Sequence, residues 1–425
     1  MNSTTSDNRF EFRLDNAAKI YVSQLSKRRT TIFRLGAKLK EPINLTRLEE
    51  AYGKMLDRCP YFQVHLRRGL FWYYLEPQKT IPRIEAESRY PCLYIPFKKI
   101  GVTPFRLIAY KNSISFEVAH FITDGSGAMA FLNGILLEYL RLSGHQIASE
   151  GKILDCLETM DEEEFEEGFK KHYQKGTPAA KMPSPAWQIP GKPVSPPAFW
   201  ITEGILDSKA LQEKAKEYDV TIGVFLTALL IDTCKIDMAE QGKKFRPIRI
   251  SVPINLRRFF PSRSMRNFSL TAEPGIDPRL GEFSFEEIIQ KVHLYMQIEL
   301  DSKYIGKQIA RNIEGEQNPL IRVVPLLLKV PILRFFYSRI GSRIFTMSFS
   351  NLGRVNLPGE MVDLVDSYQM IPPPHKGKIS ATSIAFNGKT RFFFSSTLQE
   401  KRIERIFFNR LRKMGLSVTI RTNRS

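Results

Sequence analysis

His120-Phe121-Ile122-Thr123-Asp124-Gly125 sets a histidine and an aspartate four residues apart and closes the pair with glycine. Upstream, Ile114, Phe116 and Val118 alternate with Ser113, Ser115, Glu117 and Ala119, the period-2 pattern of a half-buried strand. His120 has the parity of the apolar set and continues its inward face. Downstream, Ala128, Met129, Phe131, Leu132, Ile135, Leu136, Tyr139 and Leu140 follow helical spacing. The imidazole therefore stands where a buried strand ends and a loop opens, an address that suits a general base with little water around it. Asp124, beyond a tight turn, is badly placed to orient that ring. It suits the architecture better, as a helix cap or as the partner of an arginine. Gly125 and Gly127 are read as letting the backbone turn sharply into the helix. The plainer alternative is a satisfied core histidine followed by a capping aspartate.

A chain of 425 residues predicts two or three domains. Its 43% hydrophobic content supports a sizeable core. Cys59, Cys92, Cys156 and Cys234 are far apart and form no Cys-x-x-Cys pair, so reduced thiols in a cytoplasmic protein are expected, with no metal site. The polar start, Met1 to Asp7, has no apolar signal core. The formal charge of +19 fits a soluble basic surface, an anionic cofactor, a membrane surface or nucleic acid. Without zinc-finger spacing or an RNA-recognition signature, nucleic acid is excluded from the expected partners.

Seven prolines between Thr177 and Trp200 mark a linker or crossover strap. The expected organisation is an N-terminal half, 1–176, a Pro-rich linker, 177–200, and a C-terminal half, 201–425. The acidic run Asp161 to Glu167 reads as a solvated helix face. In the first half, Thr31 to Leu39 reads as a strand and Thr46-Arg47-Leu48-Glu49 as a capping box. Phe105–Tyr110 and Ser113–His120 read as a hairpin. In the second half, Ser380–Phe386 and Lys389–Ser395 read as another hairpin, turning through Asn387-Gly388, with a closing helix from about Glu400 to Met414. Strand, helix, strands, hairpin and closing helix recur in both halves, a pattern of duplication in which Ser395 or Ser396 takes the place of His120. Val323 to Arg343 reads as a buried core helix with snorkelling bases; the rival readings are an acyl-pocket wall and a bilayer-facing segment.

His120-x-x-x-Asp124-Gly125 resembles the motif of the chloramphenicol acetyltransferase-like superfamily of coenzyme A-dependent acyltransferases. Val252-Pro253-Ile254-Asn255-Leu256-Arg257 resembles its Pro-x-Asn-Leu-Arg strand and loop, and Ser350-Asn351-Leu352-Gly353 its Ser-Asn-x-Gly strand end. Order and separation agree over nearly the whole chain. The nearest groups are the alcohol acetyltransferase-like and condensation-domain-like proteins. Ala119 stands where condensation domains carry the first of two adjacent histidines, and the Asp-Phe-Gly-Trp-Gly signature of the plant enzymes is absent.

The resemblance implies an α/β (α+β) pseudo-dimer: two mixed-sheet domains with flanking helices and a tunnel between them. It implies an acyltransferase, with the acyl group passing from acyl-CoA to a hydroxyl acceptor, as in alcohol O-acetyltransferases. His120 is then the base, Asp124 a structural residue, and Gly125 part of the loop. Ser348, Ser350 and Asn351 are the oxyanion candidates. Arg257, then Arg34, are the candidates for pairing with Asp124; Arg258, Arg263 and Arg266 are candidates for the CoA phosphates. No prosthetic group is required, the coenzyme A thioester being a co-substrate. A monomer with a small-molecule acceptor and a peripheral membrane contact completes the expectation. The alternatives are condensation-like amide or ester formation from a carrier-protein thioester, and a non-catalytic homologue that binds an apolar ligand or partner.

Overall fold

The computed structural model describes residues 12–424 except 27–28, 98, 100, 175, 177–182, 243, 318–322, 340 and 376–377. In chain order its strands are β1 Phe12–Arg13, β2 Ile32–Leu39, β3 Val64–Arg68, β4 Tyr73–Pro77, β5 Glu85–Ala86, β6 Phe105–Tyr110, β7 Ser113–Ala119 and β8 Trp200–Asp207. There follow β9 Ile248–Asn255, β10 Ser269–Ala272, β11 Gly275–Ile276, β12 Met347–Arg354, β13 Val365–Ile371, β14 Ile379–Phe386, β15 Lys389–Ser396 and β16 Thr419–Thr422. They form two mixed sheets and a small antiparallel one, β1-β4-β3. The first mixed sheet has the order β13-β2-β7-β6-β5. The larger runs β10-β9-β12-β14-β15-β8-β16, with β11 also paired to β9. Parallel pairing of β12 with β9 and β14, and of β5 with β6, makes both sheets mixed.

Each sheet is covered by helices whose apolar faces are continuous with it. Leu45–Arg58 and Gly125–Leu142 pack on the first sheet, where Phe62, Phe105, Phe116 and Phe131 interlock and the Phe62 and Phe131 rings stack at 4.4 Å. Ile222–Glu240, Phe285–Glu299 and Arg402–Lys413 cover the second, where Phe392, Phe394, Phe407 and Phe408 form the equivalent aromatic cluster. Burying each such ring contributes roughly 1.5–3 kcal/mol. The two-residue turn between β14 and β15 has Asn387 at φ 47° and Gly388 at φ 70°, the paired positive values of a type I′ turn.

The halves are interlocked. β13 follows β12 in the chain yet pairs with β2, aligning Met370 with Leu35 and Ile371 with Arg34. The chain then returns to the larger sheet as β14. Of the expected linker, 177–182 lie outside the described residues. Its remainder runs along the second half as a strap, with Trp187 N donating to Pro247 O at 2.7 Å and Val194 N to Thr397 O at 2.8 Å.

Four local expectations are corrected. The helix Leu45–Arg58 is capped by Asn44, whose side chain accepts from Arg47 N at 3.1 Å, so Thr46 already lies inside it. The acidic run is a solvated helix face only in part: Glu162 and Glu163 are exposed, but Glu164 is buried and receives Arg58 Nη1 and Nη2 at 2.8 and 2.6 Å and the Tyr61 hydroxyl at 2.9 Å. The helix Leu326–Arg339 turns apolar side chains outward while Lys329 is buried. Glu117, on the face of β7 opposite the apolar set, is fully buried. Its carboxylate accepts from Arg34 and Arg106 at 2.7 Å each and from Cys92 N at 2.6 Å.

Glu117→Gln would remove the buried charge shared by Arg34 and Arg106, leaving them only Glu87 and Glu85. Denaturant unfolding should show a loss of roughly 3–5 kcal/mol, the cost of breaking a buried ion pair from one side.

Candidate functional site

His120 follows the last residue of β7 and caps the strand's hydrogen-bond ladder by donating its backbone N–H to Thr31 O at 2.8 Å. Thr31 takes a positive φ of 53° to present that carbonyl, a backbone state that costs a β-branched residue about 1–3 kcal/mol. The imidazole is held by flat contacts. Tyr21, from the helix Asn16–Gln24, stacks on it at 4.5 Å and 14°, and Phe33 of β2 leans on it at 4.7 Å. Burial pulls its pKa below the ordinary value of 6.5, outweighing the nearby Asp124 charge and the Asn267 contact, which push it up. The ring is therefore neutral at pH 7.

Neutral imidazole has one N–H and one lone pair. Nδ1 lies 3.4 Å from Asn267 Oδ1. Asn267 is oriented in turn by its Nδ2, which donates to Asp15 Oδ2 at 3.2 Å. With the amide so placed, Nδ1–H points to Asn267 and the Nε2 lone pair is the basic one. Asp15 also caps the helix that carries Tyr21, accepting from Ala18 N at 2.7 Å, and lies 3.7 Å from Arg266. The second half of the chain thus supplies the group that sets the tautomer, and the residues preceding β2 supply the ring that fixes the rotamer.

Asp124 holds the turn. One carboxylate oxygen accepts from Ser126 N and Gly127 N at 3.0 and 3.1 Å, capping the helix Gly125–Leu142. The other accepts from Arg257 Nη1 at 2.8 Å and Phe268 N at 3.0 Å. Arg257 is fixed by Ser264 O at 2.8 Å and Arg266 O at 2.5 Å. Asn255, which ends β9, donates to Ser126 Oγ at 2.9 Å. Arg34, the second candidate partner of Asp124, is instead spent on Glu117 and Glu87.

The glycines have a different reason from a sharp turn, since neither is among the residues of positive φ. A Cβ on Gly127 would lie 2.3 Å from Met265 O, and one on Gly125 would lie 2.9 Å from Leu352 Cδ1. Both are points where the second half presses on the start of this helix. Through Leu352, the Ser350-Asn351-Leu352-Gly353 strand end meets the His120 loop. Ser348 and Ser350 are half-buried; Asn351 is exposed. Asn351 Oδ1 accepts from Gly353 N at 2.9 Å and Ser383 Oγ at 3.0 Å, which leaves Nδ2 as the donor end, beside Gly223.

The basic candidates differ in state. Arg258 is exposed. Arg263 pairs with Asp161 at 2.6 Å, and buried Arg266 stacks over Phe165 at 4.6 Å beside Asp15. A cationic group missed in the sequence lies beyond Tyr21. Arg29 covers Tyr337 at 4.9 Å and pairs with His375 through a backbone β-bridge, and Lys378 N donates to His375 O at 2.9 Å. Burial, then the charges of Arg29 and Arg343, pull Lys378 down to about 7, and burial, Arg29 and Lys378 pull His375 down to about 3. Neither histidine ring nitrogen has a hydrogen-bond partner. No residue pattern around His375 announces this group, because its members come from distant segments.

TRI101 of F. graminearum, determined with coenzyme A and T-2 mycotoxin, aligns with 96% of this chain and 99% of its own, at TM-score 0.63 and 11% identity. The first condensation domain of the calcium-dependent antibiotic synthetase aligns over 95% of both chains at TM-score 0.61 and 13% identity. Polyketide synthase associated protein 5 from Mycobacterium tuberculosis aligns over 93% of this chain and 96% of its own, at TM-score 0.60 and 11% identity. The chain has the acetyltransferase and condensation-domain fold. No protein-family model and no curated protein sequence matches it. Among the described residues no cluster of potential metal ligands occurs, and no helix is long and apolar enough to cross a membrane.

Asp124→Ala would free Arg257, Phe268 N and the helix N-terminus together. Unfolding in denaturant should show a loss of about 3 kcal/mol or more.

Proposed function

We propose that this protein transfers an acyl group from an acyl-coenzyme A thioester to a hydroxyl acceptor, with His120 as general base. The observation that carries the reading is a neutral imidazole, fixed in rotamer by Tyr21 and in tautomer by Asn267, in a fold shared with an acetyltransferase solved with coenzyme A.

In this reading, His120 Nε2 takes the hydroxyl proton as the acceptor oxygen attacks the thioester carbonyl. The tetrahedral intermediate places negative charge on the former carbonyl oxygen. Ser348, Ser350 and Asn351 are the candidate donors to it. Collapse reforms the carbonyl, breaks the carbon–sulfur bond and expels the coenzyme A thiolate, which takes the proton back from His120. The products are ester and free thiol, and the base is restored. Asp124 and Gly125 act on the geometry of the loop rather than on the proton. In the tunnel that the resemblance implies, donor and acceptor would reach His120 from opposite sides of the junction between the halves.

The phosphates of coenzyme A need cations not already neutralised by carboxylates. Arg263 and Arg266 lie against Asp161 and Asp15, which weakens their candidacy and leaves exposed Arg258. Lys378 is buried and its ammonium already donates to Gln188 Oε1 and Phe345 O, so exposed Arg258 is the phosphate candidate. A carrier-protein thioester is the second reading, favoured by the likeness to a condensation domain.

Purified protein incubated with acyl-CoA and a panel of alcohols and amines should release free thiol with an alcohol. His120→Ala should lower turnover by roughly 10²–10⁴-fold; an unchanged rate would overturn the mechanism. Because the folded pKa of His120 is depressed, the neutral base persists below pH 6.5. The rate should stay level on acidification through that value and fall only as the lowered pKa is crossed. Arg258→Gln should raise KM for acyl-CoA by about tenfold, with kcat nearly unchanged.

A further inference from the structure

The helix Leu326–Arg339 is built inside out. Leu327, Leu328, Ile332 and Phe335 are all exposed, Leu327 to 69% and Phe335 to 58%. At 100° per residue these four fall within one arc of about 140°, so they form a single outward stripe. Lys329, about 60° beyond that arc, turns the other way. It is buried, with its ammonium donating to Phe71 O at 2.9 Å and lying 4.6 Å from the Trp72 ring. Arg334 reaches across to Ser23 O and Leu25 O at 2.8 and 2.6 Å.

The stripe is widened by the turn between β3 and β4. Leu326 N donates to Leu70 O at 2.8 Å, which locks this turn to the helix, and both Leu70 and Phe71 are exposed, Leu70 to 71%. Six large apolar side chains from two tethered segments therefore face outward. Such a patch marks an interaction surface, and a helix that is apolar on all sides belongs in a core or at a lipid boundary.

Charge selects the occupant. Residues 323–343 contain Lys329, Arg334, Arg339 and Arg343 and no acidic residue, and Arg68 stands two residues before Leu70. Arg68, Arg334 and Arg343 are exposed. Apolar side chains that enter the acyl boundary, rimmed by cations that meet anionic headgroups, are the two components of interfacial binding.

We infer that the Leu326–Arg339 helix and the Leu70-Phe71 turn dock this protein on the surface of an anionic lipid bilayer. Through Arg334, the docked helix is braced to the end of the helix that presents Tyr21 to His120, so a membrane-resident amphiphile would be delivered on the Tyr21 side of the site. The docking surface stands apart from acyl transfer and is read without turnover.

The test is flotation of the full chain with vesicles of phosphatidylcholine, alone or mixed with phosphatidylglycerol. Wild type should float with the mixed vesicles, and less so as salt is raised. Leu327→Asp combined with Phe335→Asp should lower partitioning at least about tenfold. Arg68→Gln combined with Arg343→Gln should reduce mainly its salt-sensitive part. Leu157→Asp, at a leucine exposed elsewhere, should leave flotation unchanged. Absence of wild-type flotation with either vesicle overturns the inference, as does flotation indifferent to the aspartate pair. Self-association in solution that the aspartate pair abolishes, without vesicle binding, assigns the face to a second copy and overturns it equally.

Discussion

The Asp124 carboxylate is the fastening on which the rest of the site depends. It caps the helix Gly125–Leu142 with one oxygen and receives Arg257 and Phe268 N from the second half with the other. A carboxylate loses hydration on burial and is stable there only with several donors and an opposite charge. All of those donors converge on Asp124 only when the two halves are docked. The local cap and the global assembly are therefore one event. Asn267, next to Phe268 in the same docked segment, then arrives beside His120, and the histidine gains its orientation from the contact that closes the molecule.

Close packing makes this junction sensitive to small volumes. Met265 O sits where a Cβ on Gly127 would lie, and Leu352 crowds Gly125 from another strand of the same half. The backbone carbonyl makes glycine necessary at 127, whereas at 125 the Leu352 methyl would have to shift. β13 adds topological insurance, because a segment that follows β12 completes the sheet that carries His120. Separation of the halves would break a sheet as well as an interface.

Much of this was legible in local pattern. Alternation in 113–119 and helical spacing in 128–140 predict the strand and helix that flank His120, and Asn387-Gly388 predicts the turn that joins β14 to β15. Such features depend on neighbours a few residues away. The misreadings of Glu117 and Glu164 share one cause: a charged residue looks solvated until its partner is known. Glu117 and Glu164 are buried because Arg34, Arg106 and Arg58 meet them from other elements. The Leu326–Arg339 helix misleads in the opposite sense, because its apolar composition suggests burial, whereas backbone carbonyls of neighbouring segments hold Lys329 and Arg334 and Leu327 and Leu328 face out.

By itself the sequence determined the strand, loop and helix around His120, the place of its imidazole at the strand end, and the residue type that would cap the helix. Only the tertiary structure decided which arginine meets Asp124, that Tyr21 and Asn267 orient the ring, and that β13 crosses between sheets. Periodicity and capping are written in the nearest few side chains. Arg257 lies 133 residues from Asp124, and Asn267 lies 147 from His120. At that separation chain connectivity imposes no preference, and only the docking of two packed cores selects the pairs.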